Sequence, residues 1–532
     1  MKGRLNLYGH VKLKEIIVFL PILIAVLYIN LGLIPLKGDE AIRATVALEM
    51  MLAGNYVTPT LAGELYLNKP PLYNWILIGF FRLFNNDSEF IVRLPTTLFL
   101  ILYCLTIFYF FSKELGRQTG ILSALAFLTC ARILFWDSFL GLIDIAYSWI
   151  TFTNFMVIWH FFRKRQFLSL FVISYALTAV TFLMKGLPSV VFQGLTLLVI
   201  FIQHGMFKRL FSLKHIAGLI VFVLLLLPYY TAYYLQNPEY LDNALLKLIT
   251  ESTDKSAIGS GLQKTLVHIF VFPFELIRHF VPWIVLVIFL FHKEIFRKLT
   301  ENEFIRYCFL VTIVNIAVYW LSPTTYPRYL LMLMPMAFAV FLYAGKFHAF
   351  LKTMNYRVVQ YVIVLFTIGL IFSSIVLPVY FSAYIPVSHI YLKTSALVVV
   401  GSLLYLVLKP FRAGLFYAVV MITLFTRISF NLFLQPYRES VDILTTCRNE
   451  AIELAQNTRG APLYYMTDTI TIHNVYYLTR ERDEILTYRD KPDDKSFFIV
   501  DDSLKPGASF KRYFSMHVPY YFQTYYAGKF EN

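Results

Sequence analysis

Charge is scarce in this chain. Only 15% of its 532 residues are Asp, Glu, Lys or Arg, against about 25% in an ordinary soluble domain, a shortage that argues against a water-soluble fold. Cysteine is scarcer: Cys104, Cys130, Cys308 and Cys447 are all there are. They are far apart, with no CxxC and no His/Cys cluster, so neither a disulfide framework nor a zinc site can be read. No nucleotide-binding loop or Rossmann signature is present, and there is no internal repeat or low-complexity segment. The net charge of +15 is not a nucleic-acid signal, because the basic residues sit in short connections between apolar runs.

What is abundant is apolar. The chain is 58% hydrophobic and 18% aromatic, and runs of about 20 apolar residues recur along it, which predicts a polytopic α-helical membrane protein. The runs divide into about 13 spans: 15–35, 90–111, 119–136, 139–162, 167–184, 187–203, 211–233, 275–292, 304–321, 329–345, 358–379, 393–408 and 413–434. The first run, Ile16 to Pro35, is too long for a signal-peptide core and lacks a small-x-small cleavage site, so it counts as a retained span. Basic residues concentrate in alternate connections, as in Arg163, Lys164 and Arg165, then Lys208 and Arg209, then Arg297 and Lys298. The positive-inside rule then puts the N-terminus in the cytoplasm, and an odd span count puts the C-terminal segment outside.

Two domains follow. Residues 1–436 form the membrane domain; its outer loop, 36–89, holds two amphipathic stretches, 40–52 and 71–84, expected to lie in the interface. Residues 437–532 are polar and read as a small α/β domain on the outer surface, with helices at 440–457 and 470–479 and strands at Leu463–Met466, Glu484–Tyr488 and Phe497–Val500.

This topology gathers nearly every polar irregularity of the membrane domain at the outer face. Asp39 and Glu40 end the first span; a partly desolvated carboxylate there could accept a proton from an attacking hydroxyl or amine. Asp39 also follows a glycine and precedes a helical pattern, so it could be an ordinary N-cap. Lys69 sits in Asn68-Lys69-Pro70-Pro71, where the prolines stiffen the turn. It offers a point charge to a lipid phosphate, or it snorkels among bulk headgroups. Asp144 has apolar neighbours near the outer end of the fourth span. It could pair with Lys185 or Arg132, or help hold a metal or a donor sugar, and Asp137 competes for that role. Lys185 precedes Gly186 where two spans meet, and could contact a phosphate or simply bridge to Asp144. Arg328 with Tyr326 and Tyr329 can hydrogen-bond phosphate oxygens, or form an aromatic belt with a basic anchor.

Taken in order, Gly38-Asp39-Glu40, Asn68-Lys69-Pro70-Pro71, Phe90-Ile91-Val92-Arg93-Leu94-Pro95, Asp144, Met184-Lys185-Gly186, Pro282-Trp283 and the run Tyr326 to Pro335 resemble the aminoarabinose transferases that modify lipid A. More loosely they are similar to protein O-mannosyltransferases. Both are GT-C membrane glycosyltransferases. The resemblance covers most of residues 36–340 and fades after about residue 345. It implies that Asp39 is the essential acid of the first outer loop, that Lys69 binds the donor phosphate and that Asp144 is the fourth-span acid. It also implies that Lys255 stands where the family has a phosphate-binding arginine, and that Tyr326 or Tyr329 is the family's tyrosine near the tenth span.

The function so implied is transfer of a sugar from a polyprenyl phosphate, undecaprenyl phosphate in a bacterial inner membrane, to a lipid, glycan or protein acceptor at the outer face. Catalytic Asp39, Glu40 and Asp144 and phosphate-binding Lys69, Lys185, Lys255, Tyr326, Arg328 and Tyr329 are the expected site. No cofactor is implied beyond a divalent cation that the acids could accommodate. The rivals are a transporter or a flippase for lipid-linked sugars, which predicts internal repeats and midplane charges, and a polysaccharide polymerase or ligase.

Overall fold

The computed structural model describes residues 7–8, 13–240, 242–243, 246–247, 250, 261–384, 388–408, 414–467, 470–501, 510–519 and 524–530. Its helices follow the apolar runs. In chain order they begin α1 (Leu13–Tyr28), α2 (Asp39–Leu52), α3 (Leu72–Phe84), α4 (Glu89–Leu115), α5 (Arg117–Leu128), α6 (Ala131–Phe135), α7 (Ile143–Arg163), α8 (Phe167–Lys185), α9 (Pro188–Gln203) and α10 (Leu213–Gln236). Later long helices cover Leu262–His279, Glu303–Trp320, Met334–Leu351, Met354–Tyr384, Ile390–Leu408 and Leu415–Ser429. Among the described residues seven helices are long and apolar enough to cross a membrane, or eight if one bent pair counts as a single span. The chain is a multi-pass membrane protein.

Two expected spans are interrupted, and the interruptions meet. The run 119–136 bends by 44° between α5 and the following Ala131–Phe139. Ala131 N–H leaves its own helix and donates to Val281 O at 2.8 Å. The run 275–292 breaks where Pro282 has no N–H to continue the ladder, and it resumes as a 3-10 turn over Trp283–Leu290. Trp283 Nε1 donates back to Thr129 Oγ1 at 3.0 Å, so each break supplies the other with a partner.

The segment 36–89 packs onto the helices of the bundle. Glu40, Ala41 and Arg43 to Met50 of α2 are buried, so this helix is enclosed by protein on almost every side. Its Glu49 accepts hydrogen bonds from Thr60 Oγ1 and Ala62 N, each at 2.7 Å. These fix the hairpin of β1 (Thr60–Leu61) and β2 (Glu64–Leu65).

The C-terminal segment adds helices Ile443–Asn457 and Ile472–Arg482 and a five-stranded sheet. Its strands are β3 (Leu463–Tyr465), β4 (Thr487–Tyr488), β5 (Phe497–Val500), β6 (Phe510–His517) and β7 (Thr524–Phe530), in the order β4-β3-β5-β7-β6. The first three are parallel, with Tyr464 opposite Phe498, and the last two pair antiparallel. The sequence reading has the first three strands and both helices but neither β6 nor β7. A bulge between Arg512 and Phe514 interrupts the inside-outside alternation that marks a strand. Helix Ile472–Arg482 lies against α2. Around Glu89, Tyr477 Oη donates at 3.0 Å, and Arg480 and Arg448 form ion pairs at 3.4 and 3.5 Å. The C-terminal segment is thereby tied to the end of segment 36–89.

Candidate active site

Gly38 caps the N-terminus of α2 with φ +54° and ψ −125°, a conformation open to glycine and strained for residues with a Cβ. Asp39 is therefore the first helical residue and not the cap. Its Oδ2 accepts a hydrogen bond from Arg328 Nη2 at 2.5 Å. Arg328 stands on a 3-10 turn, Pro327–Leu330, where Pro327 occupies the first position after extended Tyr326. On the other side of the guanidinium, Nε lies 3.4 Å from Asp144 Oδ2 in the first turn of α7. Asp144 Oδ1 in turn accepts from Lys185 Nζ at 2.5 Å, at the last residue of α8. Lys185 Nζ also lies 4.1 Å from the centre of the Tyr329 ring and 5.0 Å from that of Tyr147, within cation–π range. Arg328 lies 4.7 Å from the exposed Tyr326 ring.

Asp39, Arg328, Asp144 and Lys185 thus form a row of alternating charge leading inward. The side chains are 56%, 15%, 5% and 11% exposed in that order, so Asp39 is the end open to an incoming molecule. Burial works against the Arg328 charge, but Asp144 and Asp39 outweigh it and raise its pKa. Asp137 is placed differently: it is buried and closed on Arg132 at 2.9 Å. Of the two acids in competition, Asp144 is the one in the row.

Glu40 turns the other way. It has no exposed surface. Its Oε1 accepts from Arg93 Nε at 2.7 Å and Gly141 N at 2.8 Å; its Oε2 accepts from Arg93 Nη2 and Lys37 N, both at 3.1 Å. Arg93 also donates to Leu31 O and Pro35 O at 2.8 and 3.1 Å. A Cβ at Gly141 would meet Val92 O at 2.7 Å, so only glycine brings this N–H so close to α4. Lys69 lines a cleft with Pro59, Tyr66, Leu67, Pro70, Tyr229, Tyr230 and Tyr233, and its ammonium donates to Asn68 O at 3.1 Å. Lys255 lies outside the described residues. No group of three His, Cys, Asp or Glu side chains is placed to hold a metal among the described residues.

Sequence reasoning did not single out the residues that hold this site from behind. Arg93 lies in the motif Phe90–Pro95 but had no role there, and Lys37, Asp442, His473 and Tyr477 had none. The signal for Arg93 is its place inside an apolar span, where a charge needs a partner. For the C-terminal residues no local signal exists, because their contacts cross more than 400 positions of chain.

Comparison with known proteins bears on the fold. A family model described as dolichyl-phosphate-mannose-protein mannosyltransferase matches residues 68–231. The structure superposes on that of ArnT from Cupriavidus metallidurans bound to undecaprenyl phosphate with a TM-score of 0.69 at 16% identity, covering 97% of this chain and 98% of that one. Against the same protein in the apo state the TM-score is 0.67 at equal coverage. An uncharacterized protein of Aquifex aeolicus (strain VF5) is 27% identical over 217 residues. The match takes in 40% of this chain, and the chain spans less than half, 42%, of that curated relative. The fold is that of the GT-C membrane glycosyltransferases. The backbone follows that of ArnT along almost the whole chain.

Proposed function

We propose that this protein transfers a sugar from a polyprenyl phosphate, of the undecaprenyl type, to a nucleophile on a lipid, glycan or protein acceptor at the outer face of a bacterial inner membrane. The observation that carries this reading is Arg328, held between Asp39 and Asp144 with Lys185 beyond. A phosphate arriving from the bilayer meets two cations there, with the Lys69 cleft as a further basic contact. When Arg328 turns to the phosphate, Asp39 is released as a base. The acceptor oxygen or nitrogen then attacks the anomeric carbon, its proton passes to Asp39, and the anomeric carbon–oxygen bond to phosphate breaks. The polyprenyl phosphate leaves with both bonding electrons, stabilised by the fixed cations. Glu40, saturated by four hydrogen bonds, positions the start of α2. Lys255 is retained as a further donor contact on the strength of the family resemblance alone.

The test is direct. Purified protein is incubated with polyprenyl phosphates carrying labelled pentoses or hexoses, together with extracted envelope glycolipids, glycans and proteins. The expected result is label on an acceptor and release of polyprenyl phosphate. Label that stays on the donor with every sugar, but crosses the bilayer of a proteoliposome, would replace the transferase with the flippase alternative.

The proposed orientation has its own test. In a cysteine-free background, cysteines placed at Arg165 and Lys298 should react only from the cytoplasmic side, and those at Asn68 and Asp501 only from outside. A cysteine at Asp501 reacting solely from the cytoplasm would refute both the odd span count and the shared outer face.

A further inference from the structure

Three consecutive backbone N–H groups lead into Asp39, and each is accepted by a side chain. Leu36 N donates to Tyr477 Oη at 3.1 Å, Lys37 N to Glu40 Oε2 at 3.1 Å, and Gly38 N to His473 Nε2 at 3.1 Å. Two of these acceptors stand on one helix of the C-terminal domain, Ile472–Arg482. The ammonium of Lys37 is also bound by Asp442, the N-cap of helix Ile443–Asn457 in the same domain. Gly38 is the residue whose positive φ turns the chain into α2. An acceptor on its N–H therefore fixes the dihedral angles that aim the Asp39 carboxylate.

We infer that His473 is a positioning residue for the transfer reaction: as a neutral imidazole accepting at Nε2 it holds the Gly38 peptide, and through it the Asp39 carboxylate, so that the C-terminal domain is part of the working site. This rests on the transferase reading of Asp39 given above. The geometry needs the tautomer with its proton on Nδ1. A proton on Nε2 would set two donors against each other and release the Gly38 N–H.

The groups that act on His473 are known. It is partly buried, which disfavours the imidazolium; Glu40 and Asp442 favour it, and Lys37 opposes it. The outcome is a pKa below the ordinary histidine range. Sign matters here: the acceptor is present above that pKa and is lost as pH falls through it. Transfer should therefore decline on the acid side through His473.

The experiment compares wild type, His473→Phe, His473→Gln and Tyr477→Phe, all as the full chain in detergent. Three quantities are read: hydrogen exchange of the peptide covering residues 36–41, binding of undecaprenyl phosphate, and kcat and donor KM with whichever labelled donor the wild type turns over. Loss of one neutral hydrogen bond corresponds to about a 3- to 10-fold change in an equilibrium or rate. His473→Phe should speed exchange of that peptide and lower kcat by about that factor, with undecaprenyl phosphate affinity within about two-fold of wild type, since that factor is worth only about 0.4 kcal/mol. His473→Gln supplies an uncharged acceptor and should restore part of kcat while removing the His-dependent part of the acid decline. Tyr477→Phe tests the neighbouring N–H on the same helix and should lower kcat in the same direction. If His473→Phe exchanges and turns over like wild type, the inference is overturned. The same holds if its loss lies wholly in undecaprenyl phosphate binding, or if His473→Gln keeps the full acid decline. If the wild type transfers no sugar, the transferase reading fails first, whereas the exchange result still reports whether His473 holds Gly38.

Discussion

Asp39 leaves its carboxylate more than half exposed and engaged by one guanidinium, whereas Glu40, the next residue, has no exposed surface and accepts four hydrogen bonds. The difference is one of direction. Successive residues on a helix point about 100° apart, so they can face different neighbourhoods. Here one neighbourhood is the exposed surface beside Arg328, and the other is the packed junction of α2, α4 and the turn at Gly141. The same contrast runs through the cations. Arg328 is shared between two acids and can exchange partners with an arriving phosphate. Arg93 is spent on Glu40 and two carbonyls that it cannot leave without stranding them. Chemistry is thus confined to groups with incomplete or exchangeable partners, and rigidity comes from groups with complete ones.

Asp39→Asn is the sharpest way to break that comparison. The amide keeps the size of the side chain and can still accept from Arg328, but it cannot take a proton. Loss of a general base costs about 10²- to 10⁴-fold in rate, so kcat should fall by that order while protein level and thermal stability in detergent stay at wild-type values. Gly38 already caps α2, so no capping loss is expected to obscure the result. Activity retained at normal protein level would move Asp39 into the structural group and leave Asp144 as the acid to examine.

Arg93→Ala probes the other half and should act on stability first. It leaves the Glu40 charge buried and frees Leu31 O and Pro35 O. Removing one partner of a buried ion pair costs about 3–5 kcal/mol, which should appear as a large drop in the thermal midpoint or in membrane-inserted protein. Adding Glu40→Gln removes the stranded charge and should recover part of the loss. A stable, inactive Arg93→Ala would contradict the division between frame and working surface.

Much of this division was legible in the sequence, and the part that was not has a physical cause. Apolar runs and basic alternation locate the helices, because lipid forces the backbone to satisfy itself within each span. Gly38-Asp39, Asp144, Lys185 and Arg328 stand out as polar residues at one end of apolar runs, and the structure brings these four together. The sequence could not separate Asp39 from Glu40, since that depends on which face of α2 meets Arg93. Nor could it choose between Asp144 and Asp137 without the position of Arg132. The docking of His473, Tyr477 and Asp442 on residues 36–38 is a contact between distant parts of the chain. Strand β6 escaped because a bulge broke its alternation.

Lys69 lies on the working side of the comparison, and its expected effect is the smallest of the three. Pro70 and Pro71 fix the turn, and Tyr66, Tyr229, Tyr230 and Tyr233 wall its cleft. The tyrosine rings shield the ammonium from bulk water, which strengthens its attraction for a phosphate entering the cleft. A charge-assisted hydrogen bond is worth about 1.5–3 kcal/mol, or roughly 10- to 100-fold in an equilibrium constant. Lys69→Ala should weaken binding of undecaprenyl phosphate by that order, and Lys69→Arg should keep part of it, because the charge remains while the geometry changes. Thermal stability should move little, in contrast to Arg93→Ala. Direct binding of undecaprenyl phosphate to the detergent-solubilised variants measures this. Unchanged affinity in Lys69→Ala would assign the lysine to anchoring the loop at the membrane surface, and the donor phosphate would then rest on Lys185 and Arg328.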